Sequence, residues 1–194
     1  MQGDAIQVIL LVTDIFEKMR IPYAVGGSIS SSVHGIMRST MDVDILADMR
    51  SAHISGFIEA LSTAFYADEE MIRDAINRHG SFNLIHLATA YKVDVFIPKQ
   101  RVFDKMQLER RIATLITPEP EKTIYLTSPE DIILSKLEWY RMGNEVSDSQ
   151  WRDILGVLKT KAGQLDLEYV RRWAKPLKVE DLLEKALTES SQQI

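Results

Sequence analysis

Two short apolar runs carry charged residues at alternate positions, and this pattern constrains the fold more than anything else in the chain. The first is Asp42-Val43-Asp44-Ile45-Leu46-Ala47; the second is Tyr91-Lys92-Val93-Asp94-Val95-Phe96-Ile97. Side chains of a β-strand alternate between its two faces. As strands, these runs put Asp42 and Asp44 on one face and send Val43 and Ile45 to a core. Asp94 then shares a face with Lys92 and Phe96, opposite Val93, Val95 and Ile97. A third run, Ile21-Pro22-Tyr23-Ala24-Val25, also reads as a strand and ends in Gly26-Gly27-Ser28. A sheet that brings these strands together gathers Asp42, Asp44 and Asp94 on one rim, beside a glycine turn.

Carboxylates at close range repel one another and call for cations. Magnesium suits them, because it favours carboxylate oxygens combined with substrate phosphates. Two such ions, about 3.5–4 Å apart, clamp the attacking and leaving oxygens of an in-line phosphoryl displacement. The turn supplies the complementary half. Glycine lets the backbone approach phosphate oxygens closely, the helix start after it offers free N–H groups, and the Ser28 hydroxyl is placed to bond a β- or γ-phosphate. Alone, Asp-x-Asp is common on surface edges and Gly-Gly-Ser is usually just a turn. Their order here, each on or beside an apolar strand, points to a nucleotide site.

The remaining chain reads as mixed α and β, then all helix. Residues 5–20 show helical periodicity, with Ile6, Ile9, Leu10, Phe16 and Met19 on one side. A short helix is expected from Ser28 to about His34, stopped by Gly35. Further helices are expected over 51–66 and 69–78, and 101–110 leans helical. Residues 82–87 and 91–97 form an antiparallel pair around Ala88-Thr89-Ala90. Two more strands fall at 112–117 and 123–127. Ser128-Pro129-Glu130-Asp131 is a helix start, with a serine cap, proline in the first turn and an acid three residues on. Helices follow at 129–142, 148–161, 166–174 and 180–190. The expected class is α+β: a mixed sheet flanked by helices, then a C-terminal helical bundle, with domains 1–127 and 128–194.

With 194 residues the chain has room for one generous domain or a catalytic domain with a helical companion. It has no cysteine, which removes disulfides and thiolate metal sites and makes a cytoplasmic location the expectation. No apolar stretch approaches the roughly 18 residues of a membrane span, so no membrane partner is expected. The start, Met1-Gln2-Gly3-Asp4, lacks the basic and apolar regions of a signal peptide. A formal net charge of −5 leans against a large nucleic-acid footprint, although Arg101, Lys105, Arg110 and Arg111 make a local basic run. His34 and His86 lack metal-ligand companions and read as packing or hydrogen-bonding residues. Trp139, Tyr140, Trp151 and Trp173 read mainly as packing aromatics.

The order Val25-Gly26-Gly27-Ser28, Asp42-Val43-Asp44 and Asp94 resembles the nucleotidyltransferase superfamily typified by DNA polymerase beta. Arg38-Ser39-Thr40-Met41-Asp42-Val43-Asp44 is similar to the Arg-x-Thr-x-Asp-x-Asp form of many small bacterial members. Arg38 reads either as a phosphate ligand or as a buttress of the acidic strand. In the helical part, Ser135-Lys136-Leu137-Glu138-Trp139-Tyr140-Arg141 and Gln150-Trp151-Arg152-Asp153-Ile154 resemble the AbiEii-like nucleotidyltransferases, some of which are toxins of toxin–antitoxin systems. The match departs from that group's pattern at Trp139 and Gly156. The resemblance implies a nucleotidyltransferase-type fold and NMP transfer from an NTP to an acceptor hydroxyl, with Mg2+ or Mn2+ as cofactor. It implies that Asp42, Asp44 and Asp94 hold the metals, with Asp94 placed to take the acceptor's proton. It also implies that Gly26, Gly27, Ser28 and Lys136 contact the nucleotide and that Asp153 positions that site. The acceptor is left open among a tRNA end, a protein and a small molecule such as an aminoglycoside. An antitoxin or toxin partner, or a catalytically silent nucleotide-binding regulator, are the alternatives.

Overall fold

The computed structural model describes residues 2–61 and 63–192. The chain folds into two units, one of residues up to Gly26 and 39–126, the other of residues 27–38 and from Thr127 onward.

The first unit is built on seven strands: β1 (Tyr23–Val25), β2 (Asp42–Ala47), β3 (Phe65–Tyr66), β4 (Ser81–His86), β5 (Lys92–Phe96), β6 (Ile112–Pro118) and β7 (Glu121–Leu126). They form one mixed sheet in the order β3-β4-β5-β2-β1-β7-β6. β2 runs parallel to β5 and antiparallel to β1, while β4 pairs antiparallel with β5 as the sequence pattern requires. Burial follows the alternation, because Val43, Ile45, Val93 and Val95 are fully buried. Helices α1 (Gln2–Lys18), α3 (Ile54–Leu61), α4 (Glu69–Arg78) and α5 (Val102–Glu109) accompany this sheet. Phe16 of α1 stacks on Phe57 of α3, with ring centroids 5.4 Å apart, and Phe57 meets Phe82 of β4 edge-on. These aromatic contacts add to the burial that seats α1 and α3 on the sheet.

The expected helix over 51–66 is corrected. Residues 51–53 form a 3-10 turn, α3 ends at Leu61, and Phe65–Tyr66 is the edge strand β3 paired with His86 and Ile85. Ser62, within that span, lies outside the described residues.

The second unit contains α2 (Gly27–His34), α6 (Pro129–Met142), α7 (Asp148–Thr160), α8 (Leu167–Leu177) and α9 (Glu180–Gln192). Ser128 caps α6 by accepting from the Asp131 amide, and Pro129 opens the helix. Asp131 has no solvent exposure; it accepts from Ser128 Oγ at 2.9 Å and from Tyr169 Oη at 2.7 Å, which ties α6 to α8. α2 packs against α6 and α7. A side chain at Gly35 would stand 2.8–2.9 Å from backbone atoms of Val157, Gly156 and Ser31, so glycine sets how closely the α2 terminus approaches α7. Asp148, Asp166 and Glu180–Asp181 place acids in the first turns of α7, the α8 cap and α9, where they complement the helix dipoles.

Candidate active site

Two clusters of charge organise the residues singled out in the sequence, one in each unit. The first lies on the face of β2 and β5 opposite Val43, Ile45, Val93 and Val95. The parallel register sets Asp44 beside Asp94 and Asp42 beside Lys92. Gly26, at the end of β1, donates its N–H to the Asp44 carbonyl at 2.8 Å, which anchors the start of the glycine turn on the acidic strand. Asp42, Asp44 and Asp94 are thus neighbours on one solvent-facing patch of sheet.

Lys92 belongs to the same patch. Its Nζ lies 2.8 Å from Asp94 Oδ2 and 3.9 Å from Asp42 Oδ1. The Asp94 hydrogen bond, opposed by partial desolvation and aided by the charges of Asp94, Asp42 and Asp44, holds the ammonium's proton more tightly than in a free lysine. Asn83 of β4 sits opposite Asp94 in the antiparallel register, which places it on the same face. Sequence reasoning missed Asn83, since only the strand pairing reveals it.

The donors on this face are carboxylate oxygens, the kind that hard divalent cations take. Among the described residues, no three acidic or histidine side chains already converge as a metal-binding group. Lys92 occupies the space between Asp42 and Asp94, so the oxygens a divalent ion would take there are those of Asp42, Asp44 and Asp94 with the ammonium moved aside.

The second cluster is buried among helices. Lys136 Nζ of α6 donates to Asp153 Oδ2 at 2.9 Å and to Gln150 Oε1 at 3.0 Å, both on α7. The Lys136 and Asp153 side chains are only 4% and 5% exposed, so this ion pair is shielded from water. Arg38 Nε donates to both Asp153 oxygens at 2.9 and 3.2 Å, and its Nη2 reaches Asp153 Oδ2 at 3.1 Å and the Ser28 hydroxyl. Burial pushes the Asp153 carboxyl upward, but the hydrogen bonds and charges of Arg38 and Lys136 together hold it below the usual carboxylate value. Ser28 and Arg38 therefore form the exposed end of a chain of contacts that passes inward through Asp153 to Lys136. Gln150 completes that chain and had no signal in the sequence beyond its place one turn before Asp153.

Gly27 opens α2 with φ of 52°, a left-handed conformation that glycine adopts without strain. The first turn of α2, Gly27-Ser28-Ile29-Ser30, holds no acid to compete with an anion. Inside the unit, the Thr127 carbonyl accepts from Ser30 Oγ at 3.0 Å and lies 2.9 Å from His34 Nε2, which fixes Nε2 as the protonated nitrogen. Burial drives the His34 pKa below the usual imidazole value, so this histidine is a neutral structural donor, as its lack of partner ligands indicated. His86, buried against Phe65 and bonded to Thr89, is structural as well. Tyr140 and Trp151 pack on each other, and Trp151 donates to Glu189. Trp139 is half exposed.

The seven-stranded mixed sheet with acids on adjacent strands β2 and β5 is a nucleotidyltransferase-type fold. Solved structures bear this out. The antibiotic-resistance factor ANT(2'')-Ia in solution matches with a TM-score of 0.58 and 12% identity, covering 95% of this chain and 97% of its own. Its crystal structure in complex with adenylyl-2''-tobramycin matches with a TM-score of 0.58 and 10% identity, covering 90% of this chain and 97% of its own. An antigenic nucleotidyltransferase-like protein from Paracoccidioides brasiliensis matches with a TM-score of 0.55 and 17% identity, covering 94% and 91%. At these identities the likeness is one of fold. No protein-family profile and no curated protein matches the sequence. No helix among the described residues is long and apolar enough to cross a membrane.

Proposed function

We propose that the protein is a nucleotidyltransferase that moves an NMP from an NTP to an acceptor hydroxyl and releases pyrophosphate. The observation that carries this reading is the β2–β5 register, which sets Asp44 beside Asp94 and Asp42 beside Lys92 on the same partly exposed face of the sheet. A fold needs no such crowding of acids for its own stability.

In this reading Asp42, Asp44 and Asp94 hold Mg2+ or Mn2+. When bound, the divalent ion neutralises phosphate charge and activates the acceptor oxygen. The triphosphate is gripped by the Gly26-Gly27 backbone, the Ser28 hydroxyl and the Arg38 guanidinium. Asp153 fixes Arg38 in place, and Lys136 fixes Asp153; both are positioning residues here, because Lys136 is buried away from solvent. Asp94 takes the proton of the acceptor hydroxyl as its oxygen bonds to the α-phosphorus. The bond from that phosphorus to the β-phosphate bridging oxygen breaks, and pyrophosphate leaves. Ser28 and Arg38 stabilise the charge that develops on it. Positioning and electrostatics supply most of the acceleration.

A small-molecule hydroxyl is the favoured acceptor. The net charge of −5 supports it, as does the structural likeness to a protein captured with an adenylylated aminoglycoside. The toxin-type reading rests on the Lys136 and Asp153 segments, and a protein or RNA acceptor would favour it. The test is pyrophosphate release from each NTP with Mg2+, in the presence of an aminoglycoside panel, total tRNA or lysate. Acceptor-dependent release supports the reading. NTP binding with no release under any condition overturns it in favour of a silent regulator.

A further inference from the structure

Lys92 is two residues before Asp94 on the same strand, so alternation places both side chains on one face. The β2–β5 register sets it directly opposite Asp42. Its ammonium therefore sits between carboxylates of two strands, in contact with Asp94 at 2.8 Å and within reach of Asp42 at 3.9 Å. The lysine side chain is 43% exposed, against 22% for Asp94, so it has room to swing outward on its flexible stem. A cation in this position does what a divalent ion would do there: it neutralises acids that would otherwise repel one another.

We propose that Lys92 is a tethered countercation that competes with the divalent ion for Asp94, so that the metal enters tightly only together with the nucleotide. This rests on the reading of Asp42, Asp44 and Asp94 as metal ligands. Without nucleotide, an ion approaching Asp94 must displace Lys92 and then tolerate its charge nearby. With an NTP present, the triphosphate brings compensating negative charge and offers the displaced ammonium a new partner. Lys92 thus protects the carboxylate face from idle metal loading and makes metal and nucleotide binding cooperative. By reciprocity, the metal then raises NTP affinity by the same factor.

The test is Mn2+ binding to the full chain, followed by electron paramagnetic resonance, for the wild type, Lys92→Met, Lys92→Gln and Lys92→Arg, each with and without a non-hydrolysable NTP. Circular dichroism confirms that each variant is folded. The neutral variants are expected to bind Mn2+ roughly tenfold more tightly without nucleotide, an allowance for partly screened charges. They are expected to lose most of the enhancement that nucleotide confers, while Lys92→Arg stays close to wild type. Unchanged or weaker Mn2+ binding in both neutral variants overturns the proposal. Absence of Mn2+ binding in every protein overturns both the proposal and the metal reading beneath it. Tighter binding in the neutral variants without pyrophosphate release in the wild type leaves the role of Lys92 standing and removes the transferase.

Discussion

The two units handle charge in opposite ways. On the sheet, Asp42, Lys92 and Asp94 have side chains 59%, 43% and 22% exposed, and their ion pairs face water. In the helical unit, Lys136 and Asp153 are 4% and 5% exposed and locked to Gln150 and Arg38. Exposed pairs contribute little to stability and exchange partners readily. A buried pair is costly to break, because the surviving charge is left without solvent. The sheet face is therefore suited to exchanging its cation for a ligand, and the helical network to holding one side chain, Arg38, in a fixed pose.

The sharpest way to break this contrast is Asp153→Ala. It removes the carboxylate paired with the buried Lys136 ammonium, which keeps the neutral Gln150, and a loss of about 3–5 kcal/mol of stability is expected by chemical denaturation. Asp42→Ala, on the exposed side of the contrast, is expected to leave the denaturation midpoint unchanged. A large loss there would mean that the acidic patch is structural.

Gly35→Ala is the next largest effect expected. Its new methyl would meet the backbone of Val157, Gly156 and Ser31, which cannot rotate away. A loss of about 1–3 kcal/mol follows, the usual cost of overpacking, read by thermal or urea unfolding. An unaffected midpoint would mean that α2 and α7 separate without penalty.

Tyr169→Phe removes the hydroxyl that donates to the fully buried Asp131. Asp131 keeps Ser128 as a donor, so about 1–2 kcal/mol is expected to be lost in the same assay. No change would show that the Tyr169 hydroxyl is dispensable to Asp131.

The smallest effect is one of pH. His34 is neutral in the fold, with a pKa below the usual imidazole value of 6.5, while the unfolded chain takes up a proton near that value. The unfolded state thus binds more protons as pH falls, so stability is expected to decline below about pH 6.5. Asp153, also lowered, acts in the same direction at more acid pH. His34→Gln should flatten the first part of this decline in pH-dependent melting; an unchanged slope assigns it to another group.

The sheet was legible in the sequence because alternation, apolar content and burial agree along β2 and β5. The helix starts were legible where a cap is local, as at Ser128. β3 was not, because Phe65–Tyr66 is a strand only through its partners on β4 and carries no pattern of its own. Strand register was equally hidden, and with it the placement of Asn83 and the ion pairs of Lys92. Arg38 and Asp153 are 115 residues apart, so nothing local announces their contact. The segments around Lys136 and Asp153 were visible only by resemblance, and their burial came from packing. What the sequence hides throughout is partnership across elements, which is where the two kinds of charge cluster diverge.

The most direct measurement follows α-phosphate-labelled NTP into acceptor for the wild type, Asp42→Ala, Asp94→Ala and Arg38→Ala, with melting temperatures recorded alongside. Transfer is expected from the wild type. In the two aspartate variants it should fall by at least about a thousandfold at unchanged melting temperature, as expected for exposed groups that serve the metal and the reaction rather than the fold. Arg38→Ala should retain measurable transfer with a raised KM for NTP. Transfer that persists at wild-type rate in Asp42→Ala or Asp94→Ala would contradict the assignment of chemistry to the exposed face of the sheet.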